Sequence, residues 1–113
     1  MSTSHTMPHS PIVRVWRGAT TLANAAGYER HVTTVVANGL VSLPGYLGMT
    51  VLRRRDGERV EFLVMTRWTS MDAVTAFAGA SIDLAVVEPE ARALLADFDT
   101  VVRHFEVASG VTP

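Results

Sequence analysis

The chain has 113 residues and a net charge of −1, with ten basic residues, all arginine, against eleven acidic ones. That length fits one small domain, which buries roughly two-thirds of its unfolded surface. No basic face points to nucleic acid and no polybasic run to a membrane surface; with no cysteine, disulfides, thiol nucleophiles and thiolate metal sites are excluded.

Residues 1–10 are rich in Ser, Thr, His and Pro, show no periodicity, and lack the basic and apolar regions of a signal peptide. They read as a disordered leader in which His5 and His9 are solvated. No apolar run approaches the length of a membrane span, so the expectation is a cytoplasmic protein. Ile12 to Trp16 alternates as a first strand. Thr21 can cap a helix to about Leu40, with Leu22, Ala25, Tyr28, Val32, Val35, Val36 and Leu40 at helical spacing. Within it, Val32-Thr33-Thr34-Val35-Val36 favours strand by local propensity, but the apolar spacing and the segment's length favour helix. Pro44-Gly45 ends it.

Tyr46 to Arg55 is a second strand, Asp56-Gly57 a hairpin turn, and Arg59 to Trp68 a third strand. With Arg55 opposite Glu58, Val51 faces Phe62 and Met49 faces Val64, while Thr50 faces Leu63 and Gly48 faces Met65. Thr69 and Asp72 form a T-x-x-D capping box for a second helix that fades near Gly79. Ser81 to Val87 connects irregularly to a short helix that Pro89 opens and that runs through Leu95. Asp99 to Val107 is the last strand. The order β-α-β-β-α-(α)-β is that of an α+β, ferredoxin-like split βαβ sandwich with a four-stranded antiparallel sheet. It occupies residues 11–108, and 109–113 form a flexible tail. Two helices cover one sheet face only, yet both faces of the central hairpin carry Val, Leu, Met or Phe. The uncovered face therefore predicts a homodimer closed sheet against sheet, a dimeric α+β barrel.

Arg67-Trp68-Thr69-Ser70-Met71-Asp72-Ala73 stands where a fully apolar strand gives way to a helix entrance, a place where a pocket can open. Together with Val13-Arg14-Val15-Trp16-Arg17-Gly18, Leu43-Pro44-Gly45-Tyr46-Leu47-Gly48, Phe77-Ala78-Gly79, Ala85-Val86-Val87-Glu88-Pro89-Glu90-Ala91-Arg92 and Arg103-His104-Phe105-Glu106-Val107, it resembles the antibiotic biosynthesis monooxygenase family from Ile12 to Val107. The resemblance implies oxidation of an aromatic polyketide or a quinol by O₂, with no metal or organic cofactor; the partners are then a small aromatic molecule, O₂ and a second copy of the chain. Such chemistry needs an apolar cavity, a hydrogen-bonding anchor and a base working near neutral pH. Haem-degrading members also carry an asparagine on the first strand and a histidine on the second long helix. Here Trp16 or Arg17 stands on the first strand, and Met71 to Ala80 holds no histidine, which points away from that route.

Trp68 matches the family's pocket tryptophan; otherwise it fills core. His104, mid-strand, is the candidate base, or else a core histidine satisfied by a carbonyl. Tyr28 and His31, on neighbouring turns, can both face the pocket, or His31 lies on the surface. Trp16, Tyr46 and Phe77 can line an aromatic-accepting cavity, although Phe77, at helical spacing after Met71 and Val74, is more simply core. Arg14 and Arg103 lie within apolar strands and should pair with Glu106, Asp99 or Glu61, or point into a polar cavity; Arg103 is included among the pocket candidates. No metal site is evident, because the histidines are scattered. Two other readings of the same fold are a ligand-binding or regulatory module and a dimer without chemistry.

Overall fold

The structure, a computed structural model, describes residues 11–113; the expected leader, with His5 and His9, lies outside the described residues. Strand β1 (Ile12–Thr21) is followed by helix α1 (residues 25–40), strands β2 (Tyr46–Asp56) and β3 (Arg59–Trp68), and helices α2 (Met71–Ala78) and α3 (Pro89–Leu94). Two short strands follow, β4 (Asp97–Phe98) and β5 (Arg103–Glu106). The antiparallel sheet runs β2-β3-β1, and β4 and β5 share the far edge of β1. This is the expected ferredoxin-like α+β arrangement, and within one chain the sheet is open.

Of the expected last strand, Asp99 to Val107, only Arg103–Glu106 forms a strand on β1, while Asp97–Phe98, before the expected start, forms another. Between β4 and β5 the chain leaves β1 and pairs with the α2–α3 connection. Leu84 bridges Val101, Ala85 N–H donates to Thr100 O (2.9 Å) and Val102 N–H to Asp83 O (2.8 Å). A stretch that looks irregular in sequence thus supplies the missing backbone partners.

The hairpin register also differs from expectation. Asp56 pairs with Arg59, so the two-residue loop is Gly57-Glu58, and Val51 faces Val64, Met49 faces Thr66 and Thr50 faces Met65. Gly57 has φ +62° at the first loop position, which suits a primed turn. The shift is two residues, so each side chain keeps its expected face.

Helix α1 does form, but Val32–Val36 is a π-helical turn between the α segments Ala25–His31 and Ala37–Leu40. Ala37 N–H reaches Val32 O, five residues back. Thr33 and Thr34 hydroxyls bond the carbonyls of Glu29 (2.9 Å) and Arg30 (2.6 Å). The β-branched run thus widens the helix without breaking it, consistent with hydroxyl competition for turn carbonyls. At α2 the cap is Ser70, whose Oγ accepts from Ala73 N–H (3.2 Å), one residue later than the expected Thr69.

Alternation sends Ile12, Arg14, Trp16, Phe62, Val64, Thr66, Trp68, Met49 and Val51 to the helix side, as the register dictates. Two core clusters form there. One joins Ala25, Tyr28, Val32, Phe62 and Ala91; the other joins Ile12, Leu40, Trp68 and Val74. Val13, Val15, Leu52, Leu63, Met65 and Phe105 take the opposite face, which nothing among the described residues covers; Leu52 and Phe105 are exposed.

Candidate functional site

Between the two core clusters, under the π-helical turn, lies a cavity of about 180 Å³. Its walls come from β1 (Arg14, Trp16), α1 (Tyr28, Val32, Val36, Gly39, Leu40), the hairpin (Met49, Val64, Thr66) and Phe77 of α2. Val86, Val87, Glu88, Ala91 and Val102 close the remaining side. The lining is apolar and aromatic apart from Arg14, Thr66 and the exposed Glu88. Such a space is comparable to the ~150 Å³ that holds one benzene in a protein core. It is well below the roughly 300–1,000 Å³ of drug-sized pockets.

The Trp16 indole lies over Gly18, two residues on and on the same face, which has no side chain; a Cβ there would clash with the indole Cη2. The indole N–H donates to Asp99 O (2.9 Å), which fixes the ring. Tyr28 packs at 6.2 Å from Trp16 and 5.0 Å from Phe62, ring centre to ring centre. Burial pushes the Tyr28 hydroxyl well above its usual range, so it stays neutral and cannot serve as a base near pH 7. Trp68 is fully buried beneath the cavity and does not line it. It stacks on Phe77 (5.2 Å), takes the edge of Tyr46 (5.4 Å), and donates its N–H to Thr66 Oγ1 (2.9 Å). It therefore acts on the cavity through Phe77 and Thr66.

Arg14 is only 5% exposed. Its Nη1 donates to Ile82 O (2.7 Å) and its Nη2 to Leu84 O (2.9 Å). Nη1 also lies 2.9 Å from His104 Nε2. A guanidinium can only donate, so Nε2 accepts and the imidazole proton sits on Nδ1, facing Asp83 Oδ1 at 3.6 Å. Burial, and then the Arg14 charge, pull the His104 imidazole below its ordinary range; Asp83 opposes this weakly, being largely exposed. His104 is thus neutral at pH 7, with its free lone pair committed to Arg14. Burial also lowers Arg14, which nevertheless remains a cation.

The carboxylates expected for Arg14 and Arg103 are engaged elsewhere or lie apart. Glu61 binds Arg17 (2.6 Å) and Arg54 (2.7 Å), and Asp97 and Asp99 also face Arg17 at 3.3 and 3.6 Å. Those arginines, Arg17's hydrogen bond first, hold the Glu61 carboxyl below its usual range. Arg103 is exposed on the open face of the sheet, over its neighbour Phe105 at 5.4 Å. It does not reach the cavity. Neither do Tyr46, which packs against Trp68, nor His31, whose Nε2 is buried without a partner among the described residues. Of the residues singled out from sequence, the fold brings Trp16, Tyr28 and Phe77 to the cavity wall, with Trp68 and His104 directly behind it. The π-turn residues Val32 and Val36 were absent from that set. Their only signal was the clash between strand propensity and helical spacing. For Arg14 the sequence leaves a carboxylate partner or a place in a cavity open; it lines the cavity and no carboxylate among the described residues pairs with it.

Among the described residues, no group of three or more His, Asp or Glu side chains is placed to hold a metal ion, and no helix is long and apolar enough to cross a membrane.

The family model of antibiotic biosynthesis monooxygenases matches residues 23–89. No curated protein matches the chain. Solved structures do. SnoaB, a cofactor-independent oxygenase from Streptomyces nogalater, in a mutant form, is 23% identical with a TM-score of 0.64, covering 92% of this chain and 99% of its own. An antibiotic biosynthesis monooxygenase assigned in Bacillus cereus is 16% identical with a TM-score of 0.64 and coverage of 92% and 99%. A haem-degrading protein of Mycobacterium tuberculosis is 24% identical with a TM-score of 0.59 and coverage of 93% and 99%. These likenesses establish the fold, and the family match spans more than half of the sequence: the chain belongs to the antibiotic biosynthesis monooxygenase family.

Proposed function

We propose that the protein oxidises a small phenolic or quinol-type molecule with O₂ inside this cavity, without a resident metal or organic cofactor, as a cytoplasmic homodimer. The observation that carries the reading is the cavity itself: an apolar, aromatic-walled space with one buried cation, in a chain of this family. Of the two substrate classes that the family resemblance implies, a one- or two-ring quinol suits about 180 Å³ better than a fused polyketide. A tetrapyrrole suits it least, and among the described residues no histidine lines the wall.

The bound phenol loses its proton and the electron-rich anion passes one electron to O₂. The radical pair recombines to a peroxide, which sheds water. The substrate supplies both electrons that reduce the second oxygen atom, so no external reductant enters. The residues exclude water, hold the ring between Trp16, Tyr28 and Phe77, and favour the anion. His104, hydrogen-bonded to the cavity-lining Arg14, is the residue to test as base; to act so, Nε2 must be released by Arg14.

Oxygen uptake by metal-free protein against a panel of hydroquinones and anthrones tests the reading. Uptake above autoxidation, faster for hydroquinones, supports it. No uptake across the panel, with ligands that nonetheless raise Tm, replaces it with a binding or regulatory module.

A further inference from the structure

We propose that Arg14 is the anion anchor of the cavity, binding the ionised oxygen of a small aromatic ligand and making the site selective for ring-bound oxyanions over neutral aromatics of the same shape. The proposal rests on the cavity being the ligand site, as above, and adds the ligand's charge and the end of the cavity where that charge sits.

Four observations carry it. Arg14 is buried yet lines the cavity. Among the described residues no carboxylate lies within ion-pair distance of it. Its partners, the Ile82 and Leu84 carbonyls and His104 Nε2, are all neutral, as is the Phe77 ring 5.6 Å from its Cζ. They orient the guanidinium without balancing its charge, which only the largely exposed Asp83, beyond ion-pair distance, offsets in part. Three of five N–H donors are thereby engaged, and the other two make no hydrogen bond among the described residues. A buried, unpaired charge is costly, and a fold that needed only to tie down residues 82–84 could do so with a neutral donor. Glu88, the other charged residue on the wall, is exposed. The apolar remainder of the cavity accepts the ring.

The test is calorimetric titration under argon, at a pH where 4-nitrophenol is ionised, with 4-nitrophenolate, its neutral methyl ether 4-nitroanisole, and 4-nitrobenzoate. Wild-type protein should bind the phenolate about tenfold or more tightly than the ether. Arg14→Gln should erase that preference while leaving the ether's affinity within about twofold. A preference for 4-nitrobenzoate with the same dependence on Arg14 supports the anchor with a carboxylate as its source. Equal affinities in the wild type, binding of neither compound, or a preference that survives in Arg14→Gln overturns it. If that variant does not fold, the wild-type comparison decides. No oxygen is present, so an anion preference without oxygen uptake keeps the anchor and removes the oxygenase reading. Uptake without an anion preference does the reverse.

Discussion

Single side chains here gain their roles from what they displace or hold. His104 illustrates this, because the same ring can be a base or a support for Arg14. His104→Ala should lower oxygen uptake in both cases, and the pH profile separates them. If His104 is the base, the acid limb of kcat/KM disappears in the variant. If it only holds Arg14, the limb persists and KM for the anion rises. Its lowered pKa also has a stability consequence. The unfolded imidazole titrates near its ordinary ~6.5, so below that pH the unfolded chain takes the proton first. Stability is therefore intact above about pH 6.5 and falls on acidification until the folded pKa is passed. The drop in Tm between neutral and mildly acid pH should shrink in His104→Gln. Trp68 is fully buried, stacked and hydrogen-bonded. Trp68→Ala should cost roughly 3–5 kcal/mol in urea unfolding, with the cavity altered through loss of Phe77's support.

At the scale of elements, β1 and α1 shape the site. On β1, Gly18 leaves room for the Trp16 indole, and the Asp99 carbonyl stops that ring from swinging away. Gly18→Ala overpacks the strand, at a cost of about 1–3 kcal/mol. It should also shift Trp16 fluorescence and weaken aromatic ligands measured by titration, whereas Gly39→Ala, with open space around its Cα, should leave the Trp16 signal unchanged. On α1, the π turn arises where valines and threonines crowd successive turns, and it puts Val32 and Val36 on the cavity wall. A functional site commonly accompanies such an insertion.

At the scale of the whole molecule, the described residues leave one sheet face covered and one bare. Val13, Val15, Leu63 and Met65 on the bare face are half-buried, Leu52 and Phe105 are exposed at 46% and 47%, and the Arg17–Glu61–Arg54 ion pairs flank the patch. Continuous apolar surface of this kind favours association. Sedimentation of the wild type should show a dimer, and Met65→Glu, which sets a charge in the centre of the patch, should give a monomer with a lower Tm. A monomeric wild type removes the sheet-against-sheet arrangement.

Period and punctuation in the sequence determined most of the fold. Alternation along Ile12–Trp16 and the hairpin assigned each residue its face, and a two-residue slip in register leaves those faces unchanged. Apolar spacing of three and four outweighed strand propensity in α1, because burying a continuous stripe outweighs local χ1 preference. Phe77, Trp16 and Tyr28 were legible as cavity candidates because aromatic residues on covered faces have few other places to go. The tertiary structure alone decided the rest. The broken edge strand depends on a loop earlier in the chain lending its backbone, as in the Ala85–Thr100 bond, 15 residues apart. Arg14's partners are carbonyls of residues 82 and 84, about 70 positions away, and carbonyls carry no signature in side-chain identity. Arg103 turned outward because pleating gives adjacent strand residues opposite faces, so His104 and Arg103 could not both reach the site. Side-chain pattern fixes which face a residue takes, and long-range backbone geometry fixes what it meets there.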